Sequence, residues 1–185
     1  ASVTAVLCVA KNSIYKTLPD VDCYDINRDC RTFPGGMPIV AHPPCRSWSA
    51  YCAHQAKPLP GEKELGPWCV EQLRKWGGVL EHPAHSRLFD ACNLPKPGQE
   101  SKAAECWSME VEQSWWGDSR KKLTWLAFFG VLPCDLPPIP FVLRDHNGDR
   151  RRWQLMSKTQ RSATVKAFAE WLVSVARMAA MEAAA

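Results

Sequence analysis

The sequence has no apolar run near the roughly eighteen residues that a membrane-spanning helix needs. No secretory leader pattern opens it, and none of its nine cysteines forms a Cys-x-x-Cys pair. These absences argue against an integral membrane protein and against a disulfide-stapled secreted domain. We therefore expect a reduced, cytoplasmic protein whose cysteines mostly serve as small apolar side chains.

Glycine is scarce, with ten residues against fifteen prolines, which indicates stiff, extended connections. The 185 residues are 46% apolar and include nine tryptophans, enough to build the core of a single domain over residues 1–185. The formal net charge of +4 permits a nucleic-acid partner but does not require one.

Short apolar runs, separated by turns, predict a sheet. Residues 3–10, 21–24 and 38–41 are typical of buried strands, and 65–76 has the spacing of an amphipathic helix that leads into a strand at 79–80. Strand, helix and strand with short joints indicate a parallel sheet with crossover helices.

The second half of the chain is expected to begin with a long loop over residues 93–108. Two strands near 109–116 and 121–130 follow, and an amphipathic helix covers about 162–181. The whole pattern predicts an α/β fold, a single Rossmann-like domain with a mostly parallel sheet and helices on both faces.

Two reactive side chains follow predicted strands directly. Cys45 comes after 38–41 in His-Pro-Pro-Cys, and Glu81 comes after 79–80. Active sites of open α/β sheets lie at the carboxyl ends of strands, so neighbouring strands would bring both residues to one edge. A thiolate adds to electron-poor ring carbons, and a carboxylic acid beside it suits general acid work on a pyrimidine. Taken singly, each residue has a structural alternative. Cys45 could be a buried cysteine in a turn, and Glu81 could be a carboxylate that caps a helix or forms an ion pair.

The segment 41–49 (AHPPCRSWS) resembles the Pro-Cys loop of the cytosine-5 DNA methyltransferases, and 80–83 (LEHP) is similar to their next motif, Glu-Asn-Val or Glu-Asn-Pro. Residues 121–126 resemble a later strand of divergent, often phage-encoded members, and 161–164 with the following helix resemble their final helix. This resemblance implies a methyltransferase-like enzyme that modifies pyrimidines in double-stranded DNA, in the cytoplasm of a bacterial host. Cys45 would attack carbon 6 of a flipped base, and Glu81 would hold or protonate nitrogen 3.

Further residues are expected to hold the substrate because they lie on the same loops or form a basic cluster next to Trp153. A solvated turn is the alternative for the arginine cluster. The candidates are Pro44, Arg46, Trp48, Ser49, His82, Arg150, Arg151 and Arg152.

The chain departs from the family where S-adenosylmethionine would bind. Residues 9–15 contain no glycine in place of the family's glycine-rich turn, and Asp25 is the one candidate for a ribose hydroxyl. Three functions stay open: a minimal methyltransferase, a pyrimidine hypermodification enzyme that works without S-adenosylmethionine, and a non-catalytic descendant that binds nucleic acid or a protein. No metal is expected, because the cysteines and histidines lack the paired spacing typical of zinc sites.

Overall fold

The computed structural model describes residues 2–51, 53–101, 105–143 and 154–179. Within them lies one α/β arrangement of strands and helices. The strands are β1 (Thr4–Leu7), β2 (Val21–Cys23), β3 (Ile39–Ala41), β4 (Gly78–Pro83), β5 (Cys106–Glu112) and β6 (Leu123–Phe129). The helices are α1 (Leu65–Trp76), α2 (Leu88–Ala91), α3 (Lys158–Ser162) and α4 (Lys166–Arg177). Short 3-10 helices cover Ile14–Thr17, Cys30–Thr32, Ala53–Gln55, Gln113–Trp116 and Pro133–Asp135.

The six strands form one sheet in the order β2-β1-β3-β4-β6-β5. The pairings among β2, β1, β3 and β4 are parallel, whereas β6 is antiparallel to both β4 and β5. Five strands therefore run in one direction and β6 runs in the other. Because Pro83 pairs with Thr124, the carboxyl end of β4 lies beside the start of β6. We call this side of the sheet, where β1, β3 and β4 end and β6 begins, the site edge.

Alternating side chains of the central strands face two apolar layers. On one face, Ala5 and Leu7 of β1 pack with α1 and α2. On the other face, Val6 and Val40 pack with α4 and with Tyr15 of the Ile14–Thr17 helix. Helices on both faces of a mostly parallel sheet were predicted, and both features are confirmed.

Tryptophan side chains form a large part of the second layer. Trp116 lies 4.6 Å from Phe168 and 4.9 Å from Trp171, measured between ring centroids. The Trp171 indole donates a hydrogen bond to the Pro137 carbonyl at 3.1 Å, which satisfies its polar atom in a buried place. Trp116 and Trp125 are buried core residues, so they are not available as a platform for stacking bases.

Most predicted elements are confirmed, and α1 begins and ends at the predicted residues. The loop predicted over residues 93–108 ends earlier than expected, because β5 already begins at Cys106. The strand predicted at 109–116 is β5, which ends at Glu112, where a 3-10 helix follows.

The helix expected at about 162–181 corresponds to α4, which begins at Lys166 and ends at Arg177, and the separate short helix α3 precedes it, with residues 163–165 between the two. Ser157 caps α3 through a capping box with Gln160. The Arg120 guanidinium then binds the carbonyls of Gln160 and Ala163, at 2.6 and 3.0 Å, and Ala163 turns to an extended conformation. The carbonyls that a longer helix would use internally are therefore bound by a side chain. None of the described helices is long and apolar enough to cross a membrane.

Candidate active site

Cys45 lies on a tight loop that follows β3 at the site edge. The Cys45 carbonyl accepts hydrogen bonds from the backbone N–H groups of Trp48, at 2.9 Å, and Ser49, at 2.8 Å. Trp48 is buried, and its indole donates to the Lys63 carbonyl at 3.2 Å, which anchors the loop. Cys45 as a residue is exposed, although its sulfur is partly buried. The loop therefore presents a solvent-accessible thiol on a backbone that is held on both sides.

Glu81 lies on β4, beside the end of β3, and both of its carboxylate oxygens are hydrogen bonded. Oε2 lies 2.8 Å from Nδ1 of His42, and Oε1 accepts from Nε2 of Gln113 at 3.1 Å. Burial would raise the pKa of Glu81, but the hydrogen bond and charge of His42, with Lys122 and His82, lower it to about 2. Glu81 is therefore an ionised acceptor at neutral pH.

The site edge brings Cys45, Glu81 and Lys122 within electrostatic reach of one another. Partial burial and the negative charge of Glu81 raise the pKa of the Cys45 thiol, although the cations Arg46 and Lys122 oppose this. Burial lowers the pKa of the Lys122 ammonium, while the charges of Glu81 and Cys45 favour its protonated form. At neutral pH the group thus combines the Cys45 thiol, the Glu81 carboxylate and the partly buried side chain of Lys122.

His82 does not lie among these groups, although it was expected to contact the substrate. The ring is 1% exposed, and Nε2 donates to the Pro43 carbonyl at 3.0 Å while Nδ1 lies 2.6 Å from the Ser86 hydroxyl. Burial lowers the pKa of His82 to about 4, so the ring is neutral. Its position ties the end of β4 to the Pro-Pro-Cys loop, which fixes Glu81 and Cys45 relative to each other.

Four residues at this site did not figure among the sequence candidates: Tyr15, His42, Gln113 and Lys122. His42 directly precedes Pro-Pro-Cys and so had a positional signal. Tyr15 and Gln113 come from distant parts of the chain, and only the fold brings them close. Gln113 is 1% exposed, and its Oε1 has no hydrogen-bond partner among the described residues. A buried acceptor without a partner, beside Glu81, is the kind of atom that a ligand N–H group satisfies.

The remaining substrate candidates divide between two places. Pro44 and Arg46 line a neighbouring cavity, and Nε of Arg46 forms an ion pair with Glu62 at 2.7 Å. Ser49 hydrogen bonds the Cys45 carbonyl through its backbone, and its hydroxyl accepts from the N–H of Tyr51 at 3.3 Å. The cluster Arg150, Arg151 and Arg152 lies outside the described residues, as does Trp153.

The neighbouring cavity, about 280 Å³, lies where β1 and β2 end. S-adenosylmethionine would be expected here, and the residues fit it poorly. Cys8 adopts a φ of +62°, where glycine is favoured, so its side chain occupies the wall that a glycine turn would leave open. The Asp25 carboxylate already accepts from Lys16 and from the backbone N–H groups of Asn27 and Arg28. The volume is also just below the range of roughly 300–1,000 Å³ usual for small-molecule pockets.

Three cysteines from distant segments meet at this cavity. The Cys8 sulfur lies 3.4 Å from that of Cys30 and 3.8 Å from that of Cys69. Hydrogen bonds from Cys69 and Cys8 lower the pKa of Cys30, while the contacts with Cys30 and Cys8, together with burial, raise the pKa of Cys69. Across the described part of the chain, no set of three or more histidine, cysteine, aspartate or glutamate side chains is arranged to hold a metal ion.

Comparison of the chain with protein-family models, with curated proteins and with solved structures gives no match. The function of the site has therefore to be inferred from its geometry and chemistry.

Proposed function

We propose that this protein modifies pyrimidine bases in DNA, with Cys45 as the nucleophile that adds to carbon 6 and Glu81 as the group that binds nitrogen 3. One observation carries the proposal. An exposed thiol, an ionised carboxylate and a partly buried lysine converge at the carboxyl edge of an α/β sheet. The Pro-Pro-Cys and Glu-His-Pro segments that supply them resemble the catalytic motifs of cytosine-5 DNA methyltransferases.

The proposed chemistry requires two changes, a bond between the Cys45 sulfur and carbon 6 and a proton on nitrogen 3, and each change favours the other. When the Cys45 sulfur bonds to carbon 6, the electrons of the carbon 5–carbon 6 double bond shift towards nitrogen 3 and the exocyclic oxygen on carbon 2. A proton delivered to nitrogen 3 through Glu81 neutralises that charge, and the Lys122 ammonium can stabilise the oxygen. Carbon 5 then becomes nucleophilic and can be modified.

The charges at the site couple the two changes. The negative charge of Glu81 raises the pKa of Cys45, so the resting group is a thiol. Once Glu81 shares a proton with the bound base, its repulsion of a negative charge on Cys45 weakens, and the pKa of the Cys45 thiol falls. The site would therefore form its nucleophile only when a base is bound, which protects the exposed thiol from unproductive reactions.

The target base would have to leave the helical stack, because carbon 6 is not accessible inside a duplex. The mildly basic charge of the chain, +4, is compatible with a DNA partner. The poor fit of the cavity to S-adenosylmethionine favours a modification that uses another donor, as in hypermodification of a base.

Covalent trapping tests the proposal. DNA that contains 2-pyrimidinone in place of cytosine is incubated with the protein, because a ring without the 4-amino group is more electrophilic at carbon 6 and its thiol adduct accumulates without any group donor. The expected result is a peptide that contains Cys45 with the nucleotide attached, seen by mass spectrometry and absent in Cys45→Ser. Cys134→Ser is the matched control, since Cys134 is also an exposed thiol.

A wild-type protein that binds DNA but forms no adduct would overturn the proposal in favour of a non-catalytic binding protein. Calorimetric titration with S-adenosylmethionine, with and without DNA, separates the two enzymatic alternatives. We expect no saturable binding, whereas tight binding would restore the methyltransferase reading.

A further inference from the structure

Three polar side chains form a continuous hydrogen-bonded row that ends at the candidate active site. The Tyr15 hydroxyl lies 2.7 Å from Nε2 of His42, and Nδ1 of His42 lies 2.8 Å from Oε2 of Glu81. The residues come from the Ile14–Thr17 helix, the loop after β3 and β4. Tyr15 is 1% exposed, so the far end of the row is closed to solvent.

The proton positions in this row follow from the partners. An ionised carboxylate only accepts, so Nδ1 of His42 carries a proton and donates it to Glu81. The Tyr15 hydroxyl can donate a hydrogen bond to an unprotonated Nε2 of His42 or accept one from a protonated Nε2. His42 can therefore hold one proton or two without breaking either hydrogen bond. The groups that face the row are Glu81, Lys122, His82, Cys45 and Cys23.

The proposed reaction needs a proton that Glu81 does not hold. Glu81 is ionised in the resting protein, yet nitrogen 3 must gain a proton as the sulfur adds to carbon 6. The Glu81 side chain is 16% exposed, and its oxygens are bound by His42 and Gln113. The donor nearest to the carboxylate is thus His42.

We propose that His42 is a proton-relay residue, which passes a proton through Glu81 to nitrogen 3 of the base and takes it back when the adduct breaks down. This inference rests on the proposed function. In the forward step Cys45 first loses its proton to solvent, and the thiolate sulfur then bonds to carbon 6. The electrons of the carbon 5–carbon 6 double bond shift towards nitrogen 3, which gains a proton through Glu81 as the His42 imidazolium becomes imidazole. In the reverse step the sulfur leaves with the bonding electrons, nitrogen 3 loses the proton, and His42 regains it.

His82 is not a second relay. It is also a histidine at the end of β4, but its contacts are with Pro43 and Ser86 rather than with the Glu81 carboxylate. Its burial keeps the ring neutral, with a pKa of about 4. His82 therefore positions the loop, while His42 moves a proton.

The relay can be tested without any methyl donor, because addition at carbon 6 lets the hydrogen at carbon 5 exchange with solvent. Mixed-sequence DNA is incubated with protein in heavy water, and deuterium in the released cytidines is measured by mass spectrometry between pH 5 and 10. The variants are His42→Gln, which keeps an N–H for Glu81 but cannot take up a proton, and Tyr15→Phe. His54→Gln, an exposed histidine outside the row, is the control.

In the wild type, exchange needs both a thiolate and an imidazolium, so we expect the rate to rise and then fall with pH. His42→Gln should exchange about 100-fold more slowly near neutral pH, and its rate should follow the thiolate alone, with no fall at high pH. Tyr15→Phe should show a smaller loss. Thermal unfolding of each variant checks that the fold is kept.

Two outcomes are distinguishable. If wild-type protein that binds DNA gives no exchange at any pH, the proposed function fails, and the relay fails with it. If the wild type exchanges and His42→Gln is slower by the same factor at every pH, His42 has only a structural role and the relay alone is overturned.

Discussion

Gly78 and Ile39 pair across β4 and β3 at a distance that leaves no room for a side chain on the glycine. A Cβ added to Gly78 would lie 1.9 Å from the Ile39 carbonyl oxygen. The φ of Gly78 is +128°, a conformation that other residues rarely adopt. Because Cys45 follows β3 and Glu81 lies on β4, this contact joins the two strands that carry the candidate catalytic groups.

Gly78→Ala should lower the free energy of unfolding by on the order of 3 kcal/mol or more, because strain and overlap with a backbone oxygen add together. Gly98→Ala is the matched control. Gly98 has a φ of +83° but no atom near the position of a Cβ, so we expect a loss of only about 1 kcal/mol. Urea denaturation measures both. Equal losses would show that the β3–β4 contact relaxes easily.

Removal of the Glu81 charge should make Cys45 more acidic. The carboxylate raises the pKa of the thiol, so Glu81→Gln should lower it and speed alkylation of Cys45 by iodoacetamide at pH 8 several-fold. Rates are followed by peptide mass spectrometry. Glu71→Gln, on the exposed side of α1, is the control and should leave the rate unchanged. A slower reaction in Glu81→Gln would mean that Glu81 activates the resting thiol.

Stability should fall between pH 6.5 and 4 because of His82. The folded protein holds its ring neutral with a pKa of about 4, against 6.5 for an ordinary histidine, so the unfolded chain binds the proton more readily in this window. This difference corresponds to on the order of 3 kcal/mol, present above pH 6.5 and lost as the pH falls to 4. His82→Gln keeps a donor for Pro43 and should flatten this part of the profile. Thermal unfolding at several pH values checks it, and an unchanged slope in the variant would assign the effect to other groups.

Asp118 and Arg120 form a buried ion pair, at 2.6 Å, that also holds the junction of α3 and α4. Asp118→Asn would leave a buried guanidinium partly unpaired, at a cost of roughly 3–5 kcal/mol. Asp90→Asn, which breaks the exposed pair with Lys96, should cost about 1 kcal/mol or less. Chemical denaturation distinguishes the two, and similar small losses in both would show that water or a backbone group replaces Asp118.

Much of the sheet could be predicted because the local patterns agree with the fold. The apolar runs at β1 and β3 and the amphipathic spacing of α1 each determine one element with little help from distant residues. The positions of Cys45 and Glu81 at one edge follow from two neighbouring parallel strands. That edge carries the proposed function, which stays a proposal.

The rest of the site depends on contacts between distant segments. Tyr15 lies 27 residues from His42, and Gln113 lies 32 residues from Glu81, so no local spacing indicates either contact. The break between α3 and α4 depends on Arg120, about forty residues earlier. The meeting of Cys8, Cys30 and Cys69 had no signal either, because the usual metal and disulfide spacings are absent.

The reversed direction of β6 has a consequence for how this protein could acquire specificity. The connections after β3 and β4 and the connection into β6 all open onto one edge. New segments inserted at any of these three points would reach the site edge without entering the core. A scaffold of this kind can therefore lengthen its loops around the site while β3, β4 and β6 stay unchanged.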